Sequence, residues 1–295
     1  MIFFMTNLEV DKYINLIKMK KILFPTDFSD AAHNAFVHAL KWAKLVQGEL
    51  VLLHSFELPI YDNQFFPENY IAIYDSVELS EFEMFKDEIP KLRAIAEKEH
   101  LDKIKMSHRL KQGDLVSNIK ETIKEESIDY VVMGTSGATG WESFFIGTNA
   151  TSVITDAGIP VYCVPPDALF QNINTIGFTT RFRAKDKKAL ELVLQLAHKA
   201  KAKVKCLYVK TSDSDVAKAT IAEWKEEYKS EPIEFFVIED DDVQAIITDF
   251  IMYKEVDLLI MLPYKRSFFE GLFKPSLTKK LTTDFEIPIL SIPVE

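Results

Sequence analysis

The sequence predicts an α/β chain of two tandem doubly wound parallel-sheet domains, and three observations predict it. Short apolar strands alternate with amphipathic helices, the alternation occurs twice, and both copies close on an equivalent strand. A shift of 154 positions lays Ile22, Phe24, Thr26 and Phe28 on Ile176, Phe178, Thr180 and Phe182. It also carries the helical stripe 35, 36, 39, 40, 43 onto 189, 190, 193, 194, 197, apolar in both copies. A second shift, of 128, aligns 129–165 with 257–293 without a gap, matching Asp129 to Asp257, Met133 to Met261, Ile159-Pro160 to Ile287-Pro288 and Pro165 to Pro293. The shifts differ by 26 residues, so the first copy carries an insertion between its second and third strands.

Residues 1–18 fall outside the repeat. Their apolar start lacks the basic leader and cleavage site of a signal peptide, and Met19 stands directly before the first strand as a candidate natural start. The extension is expected to be poorly ordered or to pack as a short accessory helix through Leu8, Tyr13, Ile14 and Ile17. The first domain, 19–167, has expected strands at 21–24, 50–54, 105–110, 130–133 and 161–164. Its first strand runs into Pro25-Thr26-Asp27, then an N-cap candidate and a helix with apolar positions at 32, 35, 36, 39, 40 and 43. In the insertion, Tyr61, Phe65, Phe66, Tyr70, Tyr74, Phe82 and Phe85 lie among acidic residues. Its later part, 78–100, reads as a long helix, and its earlier part as packing surface, lid or interdomain wall. Tyr130-Val131-Val132-Met133 has no polar face, as expected of a strand buried on both sides. Two prolines and a polar run over 165–174 mark a hinge, with the boundary near 168. The second domain, 168–295, has expected strands at 175–179, 203–209, 233–238, 258–262 and 289–292.

A formal charge of −10 disfavours nonspecific attraction to nucleic acid or to an anionic membrane, and no transmembrane run is present. Lys265, Arg266, Lys274, Lys279 and Lys280 read as a solvated surface. Cys163 and Cys206 lie in apolar strands of different copies, where buried free thiols are expected. The histidines form no HExxH pattern, so metal-enzyme chemistry is not expected.

The chemistry-bearing feature is Gly134-Thr135-Ser136-Gly137, followed after nine residues by Gly147-Thr148. Glycines that begin where a buried strand ends let the backbone approach a ligand, and the amides opening the following helix face an anion. The loop is neither a Walker A motif, since no lysine lies between Gly134 and Gly147, nor GxGxxG. Asp27 stands at the other strand end where an open parallel sheet binds ligands; its alternative reading is a carboxylate that stabilises the turn.

Pro25-Thr26-Asp27 together with the G-x2-G-x9-G-[ST] pattern of Gly134, Gly137, Gly147 and Thr148 resembles the ATP-binding branch of the universal stress protein family. The likeness runs from Lys20 to Pro293 in the tandem two-domain form. It implies Rossmann-like, adenine nucleotide alpha hydrolase-like domains and an adenine nucleotide, ATP, in the first. By position, Pro25, Thr26 and Asp27 would border the adenosine, Ser55 would offer backbone to the adenine edge, and Met133 would pack near the nucleoside. Gly134, Thr135, Ser136, Gly137 and Gly140 would wrap the nucleotide, and Gly147, Thr148 and Asn149 would take its phosphates. The Thr148 hydroxyl would also help hold Mg2+. Asn149-Ala150 departs from the small apolar residue that frequently follows the Ser or Thr. The resemblance also implies that the last strands, 161–164 and 289–292, pair across an internal pseudo-dimer.

The second domain is degenerate: Arg181 falls at the Asp27 position, Leu262 at Gly134, Lys265 at Gly137 and Pro275 at Gly147. One nucleotide per chain is expected. The leading function is a cytoplasmic, ATP-binding stress-response regulator with an unidentified protein partner, homodimerisation being open, no nucleic acid or membrane partner, and at most slow incidental hydrolysis. The alternative is a nucleotide-free interaction scaffold. An adenylate-transferring enzyme would need HIGH-type or SGGxDS-type phosphate chemistry, and neither motif occurs. A flavodoxin-like electron carrier lacks an evident redox cluster.

Overall fold

The computed structural model describes residues 19–58, 70–135, 148–263 and 287–293. Its first half comprises β1 (Lys20–Pro25), α1 (Asp30–Val46), β2 (Gly48–Phe56), α2 (Tyr70–Lys98), β3 (Met106–Gln112), α3 (Leu115–Glu126), β4 (Tyr130–Gly134), α4 (Thr148–Asp156) and β5 (Val161–Val164). The second comprises β6 (Thr175–Thr179), α5 (Ala184–Ala200), β7 (Lys203–Lys210), α6 (Lys218–Glu227), β8 (Ile233–Glu239), α7 (Val243–Tyr253), β9 (Leu258–Met261) and β10 (Ile289–Ser291). The helix expected between β9 and β10, the N-terminal extension and the early insertion lie outside the described residues.

The ten strands among the described residues join one sheet in the order β3-β2-β1-β4-β5-β10-β9-β6-β7-β8. Pairing is parallel within each half. The halves meet where β5 and β10 run antiparallel, Cys163 opposite Ile289 and Val161 opposite Ser291. The two closing strands therefore pair internally, and the strand order of one half is the mirror of the other's.

Residue alternation puts Ile22 and Phe24 on one face and Leu23 on the other, which pins the register of β1 because a one-residue slip would reverse both. One face is covered by α1, α2, α5 and α6 around Phe36, Trp42, Tyr162 and Phe178. The opposite face is covered by α3, α4 and α7 around Ile119, Val153, Ile251 and Leu259. Both cores run through both halves. Cys163 and Cys206 are buried free thiols, as expected, and burial raises the Cys163 thiol to about 12.

Two elements differ from expectation. Helix α2 begins at Tyr70 rather than 78 and continues through Pro90. The acidic pattern that marks a helix begins at Glu78, whereas the upstream Tyr-Ile-Ala-Ile-Tyr run has β-type propensity that the helix overrides. The expected hinge is clasped by α1. Asn34 Nδ2 donates to the carbonyls of Pro166 (3.1 Å) and Ala168 (2.9 Å). His38 Nε2–H donates to the Ala168 carbonyl (2.8 Å) while its Nδ1 accepts from the Tyr162 hydroxyl (3.3 Å).

His38 is 1% exposed, and burial lowers its pKa from 6.5 to about 4. In the unfolded chain it takes a proton below pH 6.5, whereas in the folded chain it resists one until about pH 4. Stability linked to this ring is complete above pH 6.5 and falls as pH drops toward 4, by roughly 3 kcal/mol across that window. His38→Leu, which installs the residue found at the equivalent position 192, is expected to remove this component. Urea midpoints of both chains between pH 4 and 7 would show it; parallel pH profiles would contradict it.

Candidate functional site

Strand β1 lies between β2 and β4, with Ile22 opposite Leu50 on one side and Tyr130 on the other. The chain first winds outward to β2 and β3 and then crosses back to β4, so the strand order reverses at β1 and β4. Their carboxyl ends flank the crevice where open parallel sheets bind ligands. Pro25-Thr26-Asp27 and Gly134-Thr135 stand at those two ends.

The turn after β1 is held from within. Thr26 is buried, its amide donates to the Leu53 carbonyl (2.9 Å), and its Oγ1 accepts from the Phe28 amide (3.0 Å). Phe28 takes a left-handed conformation, φ 59°, that a bulky residue adopts only when its surroundings hold it. Its ring packs on His54 (5.0 Å) and Phe85 (6.0 Å). Asp27 is exposed at the crevice, and its Oδ1 accepts from the Ser29 amide (3.1 Å) and hydroxyl (2.7 Å). Ser29 Oγ in turn accepts from the Ala32 amide (3.2 Å), capping α1. The carboxylate thus stabilises the turn, and this contact holds it at the crevice mouth.

Two residues that sequence reasoning missed shape the neighbouring wall. His54 Nδ1–H donates to the Thr26 carbonyl (2.8 Å), and its Nε2 lies 3.4 Å from Glu81 Oε2, tying α2 to the turn. Asn118 Nδ2 reaches Ser55 Oγ (3.2 Å) and the carbonyls of Gln112 (3.3 Å) and Gly113 (3.2 Å), so α3 fixes Ser55 from behind. The Gly113 backbone, at φ 113°, demands glycine there, and Asp114 caps α3 by accepting from the Ser117 amide (2.8 Å). That bond and others to the same turn lower the Asp114 pKa. Asn118 and Thr122, four residues apart and both buried on the inner face of α3, were the available signal.

At the end of β4, Gly134 pairs with Val164. Met133 is buried in the core on the α3 and α4 face, so its side chain packs beneath the crevice floor. The Thr135 amide already donates to the Val164 carbonyl (3.0 Å). Ser136, Gly137, Gly140 and Gly147 lie outside the described residues, as does the Thr148 side chain. Thr148 opens α4 and Asn149 is exposed in its first turn, where unpaired helix amides belong.

The second half repeats the turn with different chemistry. Phe182 is left-handed at φ 54°, and its amide donates to Thr180 Oγ1 (2.9 Å), as Phe28 does to Thr26. Arg181 replaces Asp27, and Leu262 replaces Gly134. Buried Asp186 Oδ2 accepts from the Thr180 hydroxyl (3.0 Å) and from the amides of Arg181 (2.6 Å) and Arg183 (3.2 Å). Those loop amides are therefore occupied by the chain's own carboxylate.

Among the described residues no cluster of His, Cys, Asp or Glu suits a metal ion, and no helix is long and apolar enough to cross a membrane. The family model described as the universal stress protein family matches residues 18–165. A universal stress protein of Methanocaldococcus jannaschii is 30% identical over 149 residues, 49% of this chain and 81% of that protein. A second from the same organism is 27% identical over 160 residues, 50% of this chain and 96% of that protein. The crystal structure of a universal stress protein from Archaeoglobus fulgidus superposes with a TM-score of 0.69 at 19% identity, covering 93% of this chain and 96% of that one.

Proposed function

Because the chain belongs to the universal stress protein family, we propose that it is a cytoplasmic stress-response regulator that binds one adenine nucleotide in its first half. The observation that carries this reading is the difference between two clefts built on the same turn. Thr26 and Thr180 hold identical left-handed turns, yet the first cleft presents a carboxylate and a glycine where the second presents a guanidinium and a leucine. The shared turn is architecture; the replaced residues are the ligand's.

In this reading Pro25, Thr26 and Asp27 border the adenosine, with the Asp27 carboxylate accepting from ribose hydroxyls or the adenine amine. Ser55, braced by Asn118, offers its backbone to the adenine edge. Gly134 and Thr135 lead into Ser136, Gly137 and Gly140 around the nucleotide, while Gly147, Thr148 and Asn149 meet the phosphates at the start of α4. The Thr148 hydroxyl is assigned to Mg2+. Residues 19–167 and 168–295 act as two domains, the second contributing packing and partner contact. Nucleotide occupancy alters the surface offered to a protein partner or a second copy, and catalysis is not part of the role.

The test is to purify the chain without added nucleotide, heat-denature it, and count the small molecules released by mass spectrometry. The proposal expects close to one ATP or ADP per chain. No released nucleotide and no uptake of added Mg-ATP would leave a nucleotide-free scaffold.

A further inference from the structure

Among the described residues the sheet has two edges, β3 and β8, and they are finished differently. In a parallel ladder the amide and carbonyl of every second residue face the neighbouring strand, and those of the residues between face away. At β3 the Leu50 amide donates to the Lys105 carbonyl (2.9 Å) and the Gly113 amide to the Phe56 carbonyl (2.8 Å). Odd-numbered residues therefore face β2, and the His108 carbonyl faces outward. Arg109 Nη1 donates to that carbonyl (2.8 Å), and the same guanidinium is paired with Glu126. Lys111 of the same strand is held between Glu121 and Glu125. Charged side chains along an edge deter a further strand.

Strand β8 has no such cover. It reads Ile-Glu-Phe-Phe-Val-Ile-Glu and pairs with β7 along its whole length without a bulge. The Val204 amide donates to the Pro232 carbonyl (2.7 Å) and the Asp240 amide to the Lys210 carbonyl (3.2 Å), so even-numbered residues face β7. The amides and carbonyls of Phe235, Val237 and Glu239 face away. Among the described residues nothing bonds the outward groups of Phe235 and Val237. Val237 is 39% exposed, and the Glu239 carboxylate is turned to Lys210 on β7 (2.6 Å). An uncharged edge with unpaired backbone is a template for another strand.

We propose that β8 pairs antiparallel with β8 of a second copy of this chain, with the two-fold axis at Phe236, joining two sheets into one. The strand is complementary to itself in this register alone. Outward-facing residues must meet outward-facing residues, which places the axis at Phe235, Phe236 or Val237. An axis at Phe235 sets Glu231 opposite Glu239, and one at Val237 sets Glu234 opposite Asp240. Like charges directly opposite are unfavourable. An axis at Phe236 sets Phe235 opposite Val237, Glu234 opposite Ile238 and Phe236 opposite itself, with no carboxylate facing another. The outward amides and carbonyls of Phe235 and Val237 then satisfy those of the second copy.

Sedimentation velocity of the full chain over roughly 1 to 100 µM, at about 0.15 M salt to screen the −10 charge of each chain, tests this. A concentration-dependent dimer is expected. Val237→Pro removes an outward amide and no bond to β7, and is expected to weaken the dimer by at least tenfold while circular dichroism stays unchanged. The register is read by disulfides, since Cys163 and Cys206 are buried. Glu234→Cys chains mixed with Ile238→Cys chains are expected to cross-link on mild oxidation, and neither variant with itself, because only the mixed pair brings the two thiols opposite each other. A chain that stays monomeric throughout, a dimer untouched by Val237→Pro, or cross-linking of Glu234→Cys with itself as fast as in the mixture would each overturn the proposal. The surface lies in the second half, and its test is independent of nucleotide in the first.

Discussion

Asp186→Ala is expected to destabilise the second half of the sheet by roughly 3–5 kcal/mol, because it strands three donors that a single buried carboxylate now satisfies. Asp186 is 0% exposed and accepts from the Thr180 hydroxyl and the amides of Arg181 and Arg183. Those bonds hold the turn that keeps Phe182 left-handed and seats its ring 5.0 Å from Trp224 and 5.3 Å from Tyr208. Loss of the carboxylate therefore loosens an aromatic cluster as well as a loop. Asp186→Asn keeps one acceptor oxygen and is expected to recover part of the loss. Urea unfolding followed by tryptophan fluorescence measures both, and a change below about 1 kcal/mol for the alanine variant would contradict this account of the turn.

Asp27→Arg is expected to weaken Mg-ATP binding by about 100-fold or more, equivalent to about 2.7 kcal/mol, while stability moves by less than about 1 kcal/mol. The substitution converts the mouth of the first cleft to the residue that the second cleft already carries. Asp27 is exposed, and Ser29 continues to cap α1 through the Ala32 amide when the carboxylate is gone. The turn also keeps its Thr26-to-Phe28 hydrogen bond, so the variant separates ligand recognition from folding. Calorimetry at matched salt measures the affinity, and an unchanged dissociation constant would remove Asp27 from the site.

What the sequence revealed and what it concealed divide by the range of the interaction. Apolar alternation and the two internal shifts are local or self-referential signals, and they located the ten strands of the described residues, including the β5 and β10 segments that pair across the pseudo-dyad. The start of α4 at Thr148 was legible because the Gly147-Thr148 pair precedes a helical stretch in the sequence. Hidden were the polar clasps whose partners lie far apart in sequence. Asn118 braces Ser55 from 63 residues away, and His38 holds Ala168 from 130 residues away. Neither partner can be read from spacing. Each still left a trace, a polar residue on an otherwise buried helical stripe. Asp186 left another, since it occupies the third position of α5, where a carboxylate closes a capping box on the preceding turn. Asp27 showed a different limit: its turn-stabilising bond to Ser29 and its place at the crevice are compatible, so they were not the alternatives that spacing suggested.

The central claim is one working nucleotide site in a chain whose two clefts share an ancestry of form. Its most direct test is calorimetric titration of nucleotide-stripped chain with Mg-ATP, with AMP and cyclic AMP as competitors. The account predicts a stoichiometry of one, abolished by Asp27→Arg and untouched by Arg181→Glu. A stoichiometry of two, or a single site that survives Asp27→Arg and disappears with Arg181→Glu, would contradict it.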